Sequence, residues 1–146
     1  MEANPRQYAT TAKVQQLALF RYELRQFLRF SEKAARAAGI TPQQHQLMLG
    51  VAGFTGRGWA TISELAEFLQ ERHNAVVGLV ERAQRRGLVM KRMIALDRRF
   101  VRVQLTAQGK RTLVKLAALH RKELARFQDR TSIVLVPALA PQRSRR

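Results

Sequence analysis

An aspartate followed by two arginines, Asp97, Arg98 and Arg99, stands where a run of alternating apolar and polar residues begins in LDRRFVRVQLTAQG, residues 96–109. A carboxylate beside a guanidinium can orient it through a charge-assisted hydrogen bond. At the end of a hairpin, an oriented guanidinium suits a narrow groove lined with phosphates. Arg99 is the expected minor-groove contact, with Asp97 orienting it or Arg98. The same aspartate also serves as a turn former, and a solvated pair of this kind contributes only about 0 to 1 kcal/mol.

A second group lies upstream in HNAVVGLVER, residues 73–82. Asn74 carries the amide needed for a two-pronged contact with adenine, and asparagine is equally a helix-start residue. His73 adds a second polar reader, while Ala75 or Val77 can touch thymine methyl groups. Arg72, Arg82 and Arg102, together with Arg85, Arg86, Lys91 and Arg92, surround this stretch and are expected on phosphates, fixing register without reading sequence. If about three to five of them engage phosphates, binding falls steeply with salt.

Other chemistries find little support. His45, His73 and His120 are scattered, and no glycine-rich phosphate loop or nucleophile elbow is present. No catalytic residue, metal or cofactor is expected. The absence of cysteine excludes disulfides, thiolate metal sites and thiol redox sensing.

The elements that must hold these residues can be read from periodicity. Apolar residues at Val14, Leu17, Phe20, Leu24, Phe27, Leu28, Ala35 and Ala38 share one helical face, predicting a helix over 12–38 closed by Gly39. Thr41 and Pro42 open a second helix, to about Val51. GFTGRGWATISE is a loop with a very short strand near residues 59–61, and TISE reads as a capping box in which Thr61 and Glu64 bond each other's backbone. A short third helix follows, then a turn in LQERHN. A fourth helix places Val76, Leu79, Val80 and Ala83 on one face and ends at Gly87. Two short strands, 88–94 and 101–106, flank the connection ALDRRF. Thr106 caps a long last helix to about residue 128, and residues 129–146, interrupted by Pro137 and Pro141, receive no assignment.

The chain has 146 residues, 46% of them hydrophobic, enough for one compact domain. Its 27 Lys and Arg against 10 Asp and Glu leave a formal charge of +17, so a polyanion is the default partner. No run approaches the roughly 20 apolar residues that span a bilayer. The opening MEANPRQYATTAK is polar, which argues against a leader and for a cytoplasmic location.

Helix, turn, helix and a hairpin with a charged tip is the order of a winged helix-turn-helix. The fold expected is mainly α with a small β wing: a DNA-binding unit over 41–105, flanked by long dimerisation helices over 12–38 and 106–128. The chain resembles the MarR family of transcriptional regulators. Its wing matches that family's signature at Asp97, Arg99, Leu105, Thr106 and Gly109, and ELAEFL and GLVERAQRRGLV agree with its helix-turn-helix. The resemblance, over about residues 14–127, implies a homodimer bound to a pseudo-palindromic double-stranded operator as a repressor, released by a small aromatic or phenolic compound. Two features depart from it. Val77 and Gly78 stand where the family usually carries Ser, Thr or Arg, and the end of the chain lacks the pattern of a further dimerising helix. Phe20, Phe27, Met48 and Phe54 are candidate walls of an effector pocket. The rival reading is a sequence-tolerant architectural or RNA-binding module using charge alone. A second rival, an enzyme, lacks the polar cleft it would need.

Overall fold

The computed structural model describes residues 5–94 and 97–132, with backbone only at Pro5, Tyr8, Ile94 and 97–99. Helix α1, Pro5–Ala37, is followed by α2, Pro42–Leu49, β1, Trp59–Ala60, α3, Ile62–Leu69, and α4, His73–Arg85. Strands β2, Val89–Ile94, and β3, Asp97–Leu105, form the wing, and α5, Ala107–Thr131, closes the described chain. Both long helices exceed their expected limits, α1 beginning at Pro5 and α5 running to Thr131.

α1 and α5 pack antiparallel. Phe20 and Phe27 meet Phe127 with ring centroids 6.2 and 5.6 Å apart, and farther along α1 Ser31 reaches His120 at 2.8 Å. The N-terminal part of α1 buries almost nothing within the chain. Val14, Leu17, Leu19 and Tyr22 are exposed there, as are Val114 and Leu119 on α5. The periodicity of α1 thus marks a face that the rest of the chain only partly covers.

Helix starts follow local hydrogen bonding. Thr41 and Gln44 form a reciprocal capping box with both bonds at 3.1 Å, Pro42 occupying the first turn where its missing N–H is harmless. Thr61 and Glu64 repeat the device at α3. α2 does not end at Val51 as its periodicity suggested but continues through a π-helical turn, Gly50–Phe54. Glycine opens that turn against α3, where a Cβ on Gly50 would fall 2.6 Å from the Phe68 ring. Gln70, in left-handed conformation (φ 52°), ends α3, and Gly87 (φ 78°) ends α4, its N–H bonding Gln84 O at 2.9 Å.

The sheet has three antiparallel strands in the order β1-β3-β2, the short strand expected near residues 59–61 pairing with β3. The wing also departs from the expected boundaries. Asp97, Arg98, Arg99 and Phe100 belong to β3, Asp97 pairing with Ile94 across an irregularity after Met93. They begin β3 at the far end of the wing. Met93 pairs with Val101 and Ile94 with Asp97, so Arg98, Arg99 and Phe100 stand within the irregularity, and residues 95 and 96 lie outside the described residues.

The core joins the helix-turn-helix to α5: Leu47, Met48, Val51, Leu65, Val76, Val80, Leu88, Val89, Val103 and Leu116 are fully or almost fully buried. Two residues of the wing signature turn out to make this joint. The Thr106 hydroxyl accepts from Gly109 N at 3.0 Å and donates to Gly87 O at 2.6 Å, while Thr106 N donates to Leu88 O at 3.0 Å. Gly109 presses on the same carbonyl, which a Cβ there would approach to 2.1 Å. No helix among the described residues is long and apolar enough to cross a membrane.

Candidate nucleic-acid interface

α4 presents its polar side outward. Val76, Leu79, Val80 and Ala83 are buried, so at 100° per residue the opposite face carries Asn74, Gly78, Glu81 and Arg85. Asn74, Glu81 and Arg85 are exposed, as are Arg72, His73, Ala75 and Arg82 beside them, while Val77 is half-buried. One flank lines a groove against α2 of about 270 Å³, bordered by Gln43, Gln46, Ala75, Leu79 and Arg82. The other flank, through His73 and Val77, lines a cavity of about 340 Å³ toward Ser63, Lys91 and Phe100 of α3 and the wing.

Asn74 is not the helix cap. α4 starts at His73 after Arg72, and no side chain caps it. The first-turn amides therefore have no side-chain cap, and the helix dipole favours an anion beside them.

Of the expected phosphate contacts, two are engaged with the protein itself. The Arg102 guanidinium lies 4.2 Å from the Trp59 ring centroid, and Arg57, paired with Glu64, lies over the same ring at 3.7 Å. The register explains this: Trp59 stands opposite Gln104, so its side chain shares a sheet face with Arg102 and Gln104. Arg86 donates to Gly39 O at 3.0 Å, bonding the carbonyl just beyond the end of α1. Arg72, Arg82, Arg85, Lys91 and Arg92 are exposed around α4 and the wing. The side chains of Asp97, Arg98 and Arg99 lie outside the described residues, although their backbone is placed in β3.

The four aromatic and sulfur-bearing residues expected around an effector are not gathered in one cavity. Phe20 and Phe27 fill the α1–α5 seam, Met48 is fully buried in the core, and Phe54 packs on Phe68 with centroids 5.2 Å apart. Helical periodicity identified them as apolar but not which neighbours would fill the space beside them. A separate open groove of about 500 Å³ runs along α1 and α5, bordered by Tyr22, Phe30, Arg25, Arg29, Lys33 and Arg126.

Sequence reading left out Glu81, Trp59 and Arg57. Glu81 was recoverable by stepping three and four residues from Asn74; the Trp59 stack, built across strands, had no local signal. His45 and His120, scattered in the sequence, lie against each other with tilted rings, and no group of three metal-ligating side chains occurs among the described residues.

No protein-family model and no curated protein matches the chain. Solved structures do. A MarR family transcription regulator superposes with a TM-score of 0.74 at 24% identity, over 86% of this chain and 82% of its own. A mutant MarR from E. coli complexed with operator DNA gives 0.64 at 20%, covering 83% of each chain. A MepR mutant from S. aureus bound to an oligodeoxyribonucleotide gives 0.62 at 19%, over 77% of this chain and 80% of that one. The fold is the winged helix-turn-helix of MarR family transcription regulators, including its two long flanking helices.

Proposed function

We propose that the protein is a sequence-specific, double-stranded-DNA-binding transcriptional regulator of the MarR type, acting as a homodimeric repressor. One observation carries the reading: the outward face of α4, with Asn74, Glu81 and Arg85, is free of the protein body and ringed by exposed arginines and a lysine. A helix of this kind fits the major groove, about 12 Å wide, while the wing reaches the adjoining backbone. The operator-bound MarR and the oligodeoxyribonucleotide-bound MepR, which have the same fold, support DNA as the polyanion that the +17 charge favours.

In this reading Arg72, Arg85, Lys91 and Arg92 hold phosphates, as do the open amides of α4. His73, Asn74, Ala75, Val77 and Arg82 face bases. Arg99 enters the minor groove, with Asp97 and Arg98 beside it, and Arg102 supports the wing through Trp59. The exposed apolar face of α1 is buried by a second copy, which sets the two α4 helices about one DNA turn apart. The releasing ligand is a small aromatic acid, and the groove along α1 and α5 matches it with aromatic rings and cations side by side.

The test is selection from a randomised duplex pool by the full-length protein, followed by gel shifts against bulk genomic DNA. A regulator yields a pseudo-palindromic site preferred by roughly a thousandfold or more. A pool that emerges without a common sequence would instead favour an architectural protein held by charge.

A further inference from the structure

Gly78 sits in the middle of α4, a place where glycine is less stable than alanine. Its backbone does not call for it, because the positive-φ glycines are Gly39, Gly56, Gly58 and Gly87. Space does. A Cβ at residue 78 would come within 3.1 Å of Nη1 and 4.0 Å of Cζ of Arg82.

The approach follows from helix geometry. Arg82 stands one turn beyond Gly78, and long helical side chains lean toward the N-terminus, covering the preceding turn. Its own Cα is on the flank that, with Ala75 and Leu79, borders the groove against α2. Passing over the bare backbone at Gly78 brings the guanidinium from that flank onto the centre of the outward face, closer to Asn74. The guanidinium thereby lies about one turn, or 5.4 Å, nearer the start of α4 than its own Cα.

We propose that Gly78 and Arg82 form one specificity-determining unit, in which Arg82 reads a guanine through its O6 and N7 and Gly78 is the positioning residue that lets the guanidinium lie against α4. The inference rests on the DNA-binding regulator reading and names a base for it. The planar fork of arginine is the side chain best matched to those two acceptors. The departure at residue 78 from a polar exposed face is, on this account, the means by which another residue occupies that face.

The experiment compares the sites selected from a randomised duplex pool by wild-type protein and by Arg82→Ala, Gly78→Ala, Gly78→Leu and Gly78→Ala/Arg82→Ala, with a melting temperature for each. Arg82→Ala is expected to lose a guanine preference at one position per half-site, discrimination there falling about tenfold. Gly78→Ala should melt higher than wild type yet lose part of the same preference, and Gly78→Leu more of it. With Arg82 already removed, changing residue 78 should alter the selected sequence no further. Uniform weakening on all sequences by Arg82→Ala would mark a phosphate contact and overturn the proposal. So would an unchanged guanine preference in both Gly78 variants. A wild-type protein that selects no sequence would overturn the regulator reading itself, and this unit with it.

Discussion

The imidazoles of His45 and His120 pack against each other with ring centroids 5.1 Å apart and planes tilted at 48°. His120 Nδ1 lies 2.7 Å from Leu116 O, an acceptor only, so that nitrogen carries the proton; Nε2 then accepts from the Ser31 hydroxyl at 2.8 Å. Phe27 and Phe30 pack edge-on against His120. One imidazole thereby links α1, α2 and α5, the elements on which the DNA-binding unit stands.

Acid should loosen this joint. Burial, and then the neighbouring His120, lower the His45 pKa from 6.5 to about 4. The folded state favours neutral imidazole, so His45 contributes stability in full above about pH 6.5, and that stability is lost as pH falls toward 4. The total is on the order of 3 kcal/mol. Thermal melts from pH 7.5 to 4.5 should show a declining Tm that flattens in His45→Leu. An identical decline in the variant would assign the acid sensitivity elsewhere.

Gly109→Ala should be among the most damaging small substitutions in the chain. The added methyl would stand 2.1 Å from Leu88 O, a backbone atom held in place by Thr106. Relief requires moving α5 away from β2, at a cost of at least about 2 kcal/mol and a Tm fall of several degrees. Gly53→Ala, where a Cβ meets nothing within 4 Å, is the control and should melt near wild type. Equal melting of the two variants would contradict the packing described.

Arg102→Ala should be visible in fluorescence, because Trp59 is the only tryptophan in the sequence and the guanidinium lies over its ring. Its emission should shift as water replaces the cation. In salt titrations of DNA binding, loss of a free phosphate contact lowers the slope by about 1. Arg72→Ala is expected to do so, and Arg102→Ala to do so less, since part of its charge is spent on Trp59. The reverse order would reassign the two arginines.

Leu17→Asp tests the bare face of α1. Leu17 is 61% exposed within one chain, and a charge there would be almost neutral for an isolated molecule. In a dimer buried on that face it is severe. Sedimentation equilibrium should give a dimer for the wild type and a monomer for the variant, with weakened operator binding. A variant of wild-type mass would move the interface off this face.

What could be read directly from the chain were features whose cause lies within about one helical turn. Thr41, Thr61 and Thr106 each bond an amide three residues ahead, so the helix starts were legible as words. The 3.6-residue rhythm likewise gave the buried side of α4. Periodicity says that a face is apolar or polar without saying what stands opposite it. Only the tertiary structure decided that Arg102 would lie on Trp59, that Arg86 would bond Gly39 from 47 residues away, and that Phe20 and Met48 would fill separate places. The same holds for the wing signature, which reads as one motif although Thr106 and Gly109 serve to fix α5 to Leu88. A side chain's task depends on the direction from which distant segments arrive, and that direction is set by packing the whole core at once.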